Sequence, residues 1–487
     1  MKKYINIQGG RLFILCIMAV FFAGCEEYLD VPLPANSLFI DSGFSNDRAV
    51  AATVNGVMSQ MTQNRYFEGT NGIGHLTGLY TDELTNNNPN FTYLTYYQNA
   101  LTGTATGAPP FWSNLYKVVY YDNVAIEGIE SSTALLTYRN QWLGEAYFLR
   151  AFNLFYLTNL YGDIPLAVTS DYKINGSLSR NPQSEIYAQI ISDLKNAQRL
   201  LSTGFKNGTG LTTTERVRPG NAAASALLAR VYLYTGNWAD AETEATKVIS
   251  QTSLFSLPAD LKTVFLANSQ ETIWSLVTGN TNFVGDYTSY LSGVPGITAT
   301  ATVLPATIHG YLTPRQVASF ETTEDKRFVN WVQTVVLPLP STTPVANRTY
   351  YLPGKYRSNV HNIEHVMLLR LAEQYLIRAE ARAQLNNIGG AQSDINSIRA
   401  RAGLGNTPAN TQSTLLTAIL SERRNEFFTE EGHRFFDLKR TGLINSVMTV
   451  EAPLKTGGAT WTTNSAKWPI SSTEIDANPN LSQTPGY

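Results

Sequence analysis

Apolar residues recur at helical spacing in three blocks of the chain. They occupy positions i, i+3, i+4 and i+7 over residues 111–201, over residues 221–250, and over residues 366–401 continued in 411–441. This spacing places the apolar side chains on one face of a helix. The pattern therefore predicts a mainly helical chain whose amphipathic helices bury one face each.

The second block has the spacing of a tetratricopeptide repeat. Its small and aromatic positions are Ala222, Ala226, Ala229, Tyr232, Gly236, Trp238, Ala241 and Ala245. The small residues allow two antiparallel helices to approach closely, and Gly236 supplies the turn between them. The same pattern returns 150 residues later at Ala379, Asn386, Ala391 and Ile395. We expect three or four helix hairpins packed into a short superhelix.

Three segments lack this periodicity and are predicted to be non-helical. Residues 66–110 are rich in Asn, Thr, Tyr and Gly, and residues 252–360 are rich in Thr, Pro and Val, with a strand-like run at 272–277. Residues 450–487 are predicted to form a largely irregular tail. Structureless segments longer than about 15 residues usually carry function or are disordered, and the aromatic content here favours function.

Charged residues in the helical blocks are predicted to be paired. Glu145 and Arg150 lie among aromatic residues, where an unpaired charge would be costly, so each is expected to have a buried partner. Six charged residues at three- to four-residue spacing are expected to pair along a helix. They are Glu422, Arg423, Glu426, Glu430, Arg434 and Asp437.

The N-terminus has the pattern of an export signal. A positively charged start precedes twelve apolar residues at 12–23. Twelve helical residues span about 18 Å, which is shorter than the ~30 Å hydrocarbon core of a bilayer, so residues 1–24 are predicted to be a signal peptide. The run ends in Ala-Gly-Cys, as in a bacterial lipobox, which predicts that Cys25 carries a lipid. An ordinary signal with an incidental cysteine is the alternative.

Composition excludes some classes of function. The 487 residues include 36 Lys and Arg against 38 Asp and Glu, and only 15% of residues are charged, compared with about 25% in an average chain. Such a balance lacks the positive footprint that a nucleic-acid partner requires. The sequence contains neither a Walker loop nor a G-x-S-x-G elbow.

Two aromatic-rich regions have the side chains that a neutral sugar requires: flat rings for the apolar face of a pyranose, and planar polar groups for its hydroxyls. The first region contributes Tyr80, Asp82, Phe91, Tyr93, Tyr96, Tyr97 and Asn99. The second contributes Tyr287, Tyr290 and Trp331, with Phe283, Asp286 and Tyr311 nearby. For each of these rings, inward packing in the core is the alternative.

One motif favours a different chemistry. His361, Glu364 and His365 match H-x-x-E-H, the signature of inverted zinc peptidases. That signature requires a helix, whereas residues 330–360 are predicted to be strand and loop. A zinc hydrolase is therefore a remote alternative, and we predict neither a bound metal nor another cofactor.

A set of longer motifs resembles the RagB/SusD family of nutrient-binding lipoproteins of Bacteroidetes. Besides the lipobox, they are EAYFLRA at 145–151, YGDIPL at 161–166, LRLAE at 369–373, EEGHRFFDLKR at 430–440 and QTPGY at 483–487. The resemblance implies a tetratricopeptide-like helical superhelix with loop-rich and short-strand insertions. It divides the mature chain into an N-terminal region, 25–215, with an aromatic loop at 66–110, and a C-terminal region, 216–487, with an insertion at 252–360.

The resemblance also implies a function. Members are non-catalytic, lipid-anchored proteins of the outer membrane that face the cell exterior. They bind a nutrient, most often an oligosaccharide, and pass it to a SusC-like TonB-dependent transporter. In such proteins the N-terminal loop region and the middle insertion commonly contribute to the ligand site. A transporter lid with little glycan affinity, or a binder of peptide or another nutrient, is the alternative.

Overall fold

A computed structural model of the chain describes residues 43–63, 65–278, 282–339 and 346–487. The predicted signal peptide and the predicted lipid attachment at Cys25 lie outside these residues. Across the described ranges, no helix combines the length and apolar character needed to cross a membrane.

Helices make up most of the described chain. The first nine are α1 Asp47–Gln63, α2 Ile73–Tyr80, α3 Phe91–Tyr97, α4 Phe111–Ser131, α5 Arg139–Tyr161, α6 Tyr172–Asn175, α7 Gln183–Leu200, α8 Asn221–Tyr234 and α9 Trp238–Ile249. Those that follow are α10 Gly285–Tyr290, α11 Pro314–Val317, α12 Lys326–Trp331, α13 Leu371–Gln384, α14 Ile388–Arg401, α15 Gln412–Glu426, α16 His433–Arg440, α17 Ile444–Glu451 and α18 Ser472–Ala477. The prediction of a mainly helical chain is confirmed.

The predicted tetratricopeptide-like hairpins are present. Helices α8 and α9 form one pair and α13 and α14 form another, and α9 packs against α13. Gly236 turns the first pair with φ +73°, and Asn386 turns the second with φ +60°. Glycine and asparagine are the residues that enter the left-handed region most readily, which explains why each of the two hairpins has one of them at its turn.

The prediction that residues 66–110 contain no helix is wrong. Both α2 and α3 lie within this segment. Every residue of α2 is buried, so the helix has no polar face and therefore no amphipathic period to detect. Asn90 caps the short, aromatic α3, because its side chain accepts a hydrogen bond from the backbone N–H of Thr92 at 2.9 Å.

Three separate antiparallel strand pairs accompany the helices in the described chain. The strands are β1 Leu84–Asn86, β2 Thr272–Leu276, β3 Gly310–Leu312, β4 Val332–Leu339, β5 Ala346–Pro353 and β6 Val366–Arg370, paired as β1 with β3, β2 with β6 and β4 with β5. The strand-like run at 272–277 is confirmed as β2. The third helical block, however, begins with a strand. All five residues of β6 are buried, and a short apolar run reads alike as helix or strand.

One hydrophobic cluster extends from Phe44 to Leu481. It includes Trp142 and Phe152 of α5 and Trp274 of β2, and it crosses the predicted boundary at residue 215 without a break. The division of the mature chain at that position stays a prediction.

Most of the buried charged side chains are paired across elements rather than along one helix. As predicted, Arg150 has a buried partner, Asp193, at 2.7 Å, and Glu145 pairs with Arg218. The predicted pairing along a helix over residues 422–437 is wrong, because the chain breaks between α15 and α16. The acidic and basic side chains of that segment instead form ion pairs with residues of other elements.

Three ion pairs illustrate this arrangement. Glu426 lies 2.6 Å from Arg370 and also pairs with Arg401. Arg423 in α15 pairs with Asp437 in α16 at 2.7 Å. Burial acts against the charged form of Glu426, but the surrounding guanidinium groups outweigh it and hold its pKa well below the usual range.

Candidate functional site

Seven of the predicted ligand-contacting residues lie inside the protein. They are Tyr80, Asp82, Tyr96, Tyr97, Asn99, Tyr290 and Trp331. None of them is more than 8% exposed, and a ring without an accessible face offers no stacking surface. The structure therefore assigns these seven to the core rather than to a ligand surface.

The buried aromatic residues have specific packing roles. The hydroxyl of Tyr80 donates a hydrogen bond to the backbone oxygen of Ser465 at 3.0 Å, and its ring makes edge contacts with Phe435 and Trp468. Trp331 donates its indole N–H to the backbone oxygen of Leu261 at 3.0 Å. Alanine at such positions would open a cavity and destabilise the fold.

Asp82 and Asn99 likewise serve the scaffold. Asp82 pairs with Arg434 at 2.8 Å and with Arg424 at 3.2 Å. Burial alone would raise the pKa of Asp82, but these guanidinium groups, with Arg315, hold it well below its usual range. Asn99 donates its side-chain amide to the backbone oxygen of Tyr80 at 2.7 Å.

The predicted residues that keep an accessible face are Phe91, Tyr93 and Tyr287. Phe91 begins α3 and is 74% exposed. Tyr93 and Tyr287 are half-buried. Tyr93 and Asn88 both contact His309, and Phe91 and Tyr311 lie two residues from Tyr93 and His309 in the chain. We call these five residues the α3–β3 surface.

Strand pairing builds the α3–β3 surface from distant parts of the chain. In the β1–β3 pair, Asn86 is opposite Gly310 and Thr85 is opposite Tyr311. Beyond the strand ends, the backbone N–H of Asn87 donates to the backbone oxygen of His309 at 3.0 Å. The side-chain nitrogen of Asn88 lies 3.0 Å from Nδ1 of His309. The loop that leads to Phe91 is therefore fixed on β3.

Tyr93 and His309 contact each other edge to face, and other rings of this surface contact the residues around it. The centroid of Tyr93 lies 5.4 Å from that of His309 and 5.8 Å from that of His75. Tyr311 contacts Tyr350 of β5 with ring centroids 5.1 Å apart. These contacts restrict the orientations of the rings of Tyr93, His309 and Tyr311.

The two histidines add no positive charge at neutral pH. Burial lowers the pKa of His75 to about 3, and Nδ1 of His75 lies 2.9 Å from the hydroxyl of Tyr290. Burial also lowers the pKa of His309. Rings and amides without a histidine charge suit a neutral ligand better than an anionic one.

Tyr287 lies on another element and belongs to a different contact group. Its ring contacts Phe283 at 5.5 Å, and the neighbouring Asp286 docks α10 by accepting a hydrogen bond from the backbone N–H of Gly69 at 2.9 Å. No ring contact or hydrogen bond between described residues joins Tyr287 to the α3–β3 surface. The two aromatic-rich regions predicted from the sequence are therefore connected by the pairing of β1 with β3 and not by a contact of Tyr287.

Sequence reasoning missed His309 as a site residue. It is brought to Asn88 only by the pairing of two strands more than 220 residues apart in sequence. Three-residue strands such as β1 and β3 are too short to leave a recognisable alternating pattern. The sequence therefore carries no local signal for this part of the surface.

The zinc-peptidase motif does not form the geometry that its chemistry requires. Residues 361–363 form a turn and a bend, not a helix. Nδ1 of His361 lies 2.8 Å from the backbone oxygen of Asn282, and Nε2 of His365 lies 2.7 Å from the side-chain oxygen of Asn362. Glu364 accepts hydrogen bonds from two backbone N–H groups instead of facing a metal. Within the described ranges, no three His, Cys, Asp or Glu side chains are grouped to hold a metal ion.

Helix hairpins, short strand pairs and loop-borne aromatic residues define a tetratricopeptide-like scaffold that presents a polar and aromatic surface. Comparison with known proteins identifies the family. A SusD-family model matches residues 340–487, and a family model described as starch-binding and associating with the outer membrane matches residues 27–233. The chain belongs to the SusD/RagB family.

Individual relatives agree with this assignment. SusD-like protein P2 of Formosa agariphila is 29% identical over 382 residues, which cover 69% of this chain and 72% of that protein. A SusD-superfamily protein of Bacteroides vulgatus superimposes with a TM-score of 0.75 at 21% identity, over 91% of this chain and 99% of the other. A laminarin-binding SusD-like protein gives 0.73 at 22% identity, over 91% and 100%. The predicted SusD-like fold is confirmed.

Proposed function

We propose that this protein is a non-catalytic glycan-binding lipoprotein of the outer membrane. In this proposal Cys25 carries the lipid, the protein faces the cell exterior, and it delivers an oligosaccharide to a SusC-like TonB-dependent transporter. The names of the relatives support a glycan as ligand, since one matching family is described as starch-binding and one structural neighbour as laminarin-binding.

The exposure of Phe91 is the observation that carries the proposal. A phenylalanine that is 74% exposed adds little to the core. It stands beside Asn88 and Asn90 in the chain, and the half-buried Tyr93 follows two residues later. An exposed ring among amides offers a stacking face and hydrogen-bond partners for hydroxyls, which is the combination that a neutral sugar requires.

Native gel electrophoresis through a panel of neutral and acidic polysaccharides tests the proposal. We expect one class of neutral glycan to retard the purified protein. Phe91→Ala should weaken the affinity for that glycan about tenfold, or about 1.4 kcal/mol, as for the minority of contact residues whose truncation costs more than about 1 kcal/mol. Because Phe91 is exposed, the same substitution should leave the thermal unfolding midpoint unchanged.

Leu135→Ala is the matched control. Leu135 is 97% exposed and lies outside the α3–β3 surface, so its removal also deletes an exposed apolar side chain. It should bind glycan like the wild type. Absence of retardation by every polysaccharide would overturn glycan binding and favour the transporter-lid or peptide-binding alternative. Equal affinity of Phe91→Ala and the wild type would remove the α3–β3 surface from the ligand site.

A further inference from the structure

A cleft of about 330 Å³ opens between α4, the segment at 165–176 and α18. Its aromatic walls are Trp112, Tyr116 and Tyr120 on α4 and Tyr172 on α6. The three residues of α4 are spaced by four, so they form one stripe along the helix. We call this cavity the tyrosine cleft. It shares no residue with the α3–β3 surface.

The fold uses the two deeper rings. Trp112 packs edge-on against Tyr161 with centroids 5.0 Å apart. The hydroxyl of Tyr116 donates a hydrogen bond to the backbone oxygen of Pro165 at 2.7 Å. These rings line the cleft, but core packing accounts for their presence.

The two outer rings are not explained by packing. Tyr172 is 75% exposed, and its side chain makes no hydrogen bond or ring contact with any described residue. Tyr120 is 41% exposed and contacts only the neighbouring Tyr121 among the rings of the described chain. Two exposed tyrosines at the mouth of one cavity supply stacking faces that the folded protein itself leaves free.

An unpaired acceptor points to the chemistry of the ligand. Asn175 donates its side-chain amide to the backbone oxygen of Thr169 at 2.7 Å, which fixes the orientation of the amide group. Its Oδ1 is buried and has no hydrogen-bond donor among the described residues. A buried acceptor without a partner is costly, so a donor from a ligand would be favourable here. Hydroxyl groups supply such donors.

Charge restricts the ligand further. Glu474 is the one charged residue in the lining of the cleft, and one of its oxygens accepts a hydrogen bond from the hydroxyl of Ser113 at 2.6 Å. A carboxylate repels anionic groups and accepts hydrogen bonds from hydroxyls. The cleft therefore suits a neutral sugar rather than a uronic acid or a sulfated one. Its volume lies at the small end of ligand pockets, which suits a chain end or a short segment.

We infer that the tyrosine cleft is a second glycan-binding site, in which Tyr120 and Tyr172 stack on a neutral sugar and Asn175 and Glu474 accept hydrogen bonds from its hydroxyls. The inference rests on the proposed function, since it assumes the same class of ligand. Two sites on one protein allow a single polysaccharide chain to engage both, and the second contact is then intramolecular. Long chains would be retained more strongly than short ones for this reason.

Dissociation constants from native gels at several polysaccharide concentrations test the inference. Tyr172→Ala should weaken binding about tenfold, whereas Tyr172→Phe, which keeps the ring, should bind like the wild type. Phe91→Ala combined with Tyr172→Ala should abolish retardation. Because Tyr172 is exposed, thermal unfolding of the variants should match that of the wild type and exclude misfolding as the cause.

The outcomes separate this inference from the proposed function. A wild-type protein that no polysaccharide retards overturns the proposed function, and the second site with it. Retardation of the wild type with unchanged affinity in Tyr172→Ala and Asn175→Ala overturns only the second site. An equal loss in Tyr172→Ala and Tyr172→Phe overturns stacking as its mechanism.

Discussion

A buried network centred on Arg150 holds one wall of the tyrosine cleft. The guanidinium group donates two hydrogen bonds to Asp193, at 2.7 and 2.8 Å, and one to the side-chain oxygen of Asn123 at 2.9 Å. Asn123 in turn donates to the backbone oxygens of Ala167 and Thr169. The network thus links α4, α5 and α7 to the loop that leads to the cleft.

Removal of one partner should be strongly destabilising. The side chains of Arg150 and Asp193 are only 6% and 1% exposed, and loss of one member of a buried pair typically costs about 3–5 kcal/mol. For Asp193→Leu we expect about 3 kcal/mol, because the buried Asp122 also interacts with Arg150 and ionises more readily once the charge of Asp193 is removed. Burial raises the pKa of Asp122 well above its usual value, although Arg150 opposes the shift.

Urea denaturation of a double-mutant cycle measures this effect. With a slope of about 3 kcal/mol per molar, Asp193→Leu should lower the unfolding midpoint by about 1 M. Arg150→Met should cost at least as much, because it also leaves the oxygen of Asn123 unpaired. The double variant should cost less than the sum of the single variants by at least about 1.5 kcal/mol, since neither charge is then left alone.

Lys247→Met is the control for this cycle. Lys247 forms a surface pair with Glu244 and its side chain is 48% exposed, so its loss should change stability by about 0.5 kcal/mol or less. Strict additivity of Arg150→Met and Asp193→Leu would refute the argument that the two charges depend on each other. A cost of Asp193→Leu as small as that of the control would refute it as well.

Two further predictions follow from single contacts. Burial, with a smaller contribution from the charge of Glu68, raises the pKa of Asp286 to about 7 despite the hydrogen bond from Gly69. As pH rises, the unfolded chain therefore releases this proton at a lower pH than the folded protein does. The free energy of unfolding should consequently fall as pH rises from about 4 to about 7. Thermal melts across that range should show a shallower fall in Asp286→Asn, and an identical slope would contradict the assignment. Gly236→Ala should lower the free energy of unfolding in urea by about 1 kcal/mol, because the φ of +73° rather than steric crowding disfavours a side chain there. Gly236→Asn should lower it less, because Asn386 occupies the equivalent turn. Equal losses of stability in the two variants would refute this reason.

Periodicity predicts the elements that have one buried and one exposed face. It predicts α4, α7 and α9 in this way, whereas α5 and α8 are buried on almost every side and are distinguished from strands by their lengths of 23 and 14 residues. The turn residues Gly236 and Asn386 mark where the two tetratricopeptide-like pairs reverse. Periodicity fails for α2 and β6, in which every residue is buried. Because these segments have no exposed polar side, their hydrophobic pattern has no period, and only tertiary contacts decide between helix and strand.

The candidate site could be predicted only in part. Composition selects the aromatic and amide-rich segment at 80–99, but a tyrosine that fills the core and one that faces a ligand look alike in sequence. Tyr80 and Tyr96 proved to be core residues, whereas Phe91 is exposed. His309 and Tyr172 needed the packing of distant segments to become visible, and neither lies in a motif.

The motifs by which the family is recognised are scaffold motifs for a physical reason. In the segment 430–440, Glu430 pairs with Arg370, Arg434 with Asp82, and Asp437 with Arg423. Each pair joins separate elements in the protein interior, so a change at one member leaves a charge unpaired and destabilises the fold. An exposed side chain such as Phe91 or Tyr172 has no such partner and can change without that cost. Substitutions at buried charges should therefore alter stability, whereas substitutions at exposed rings should leave it unchanged, so that the scaffold can be kept while its exposed rings vary.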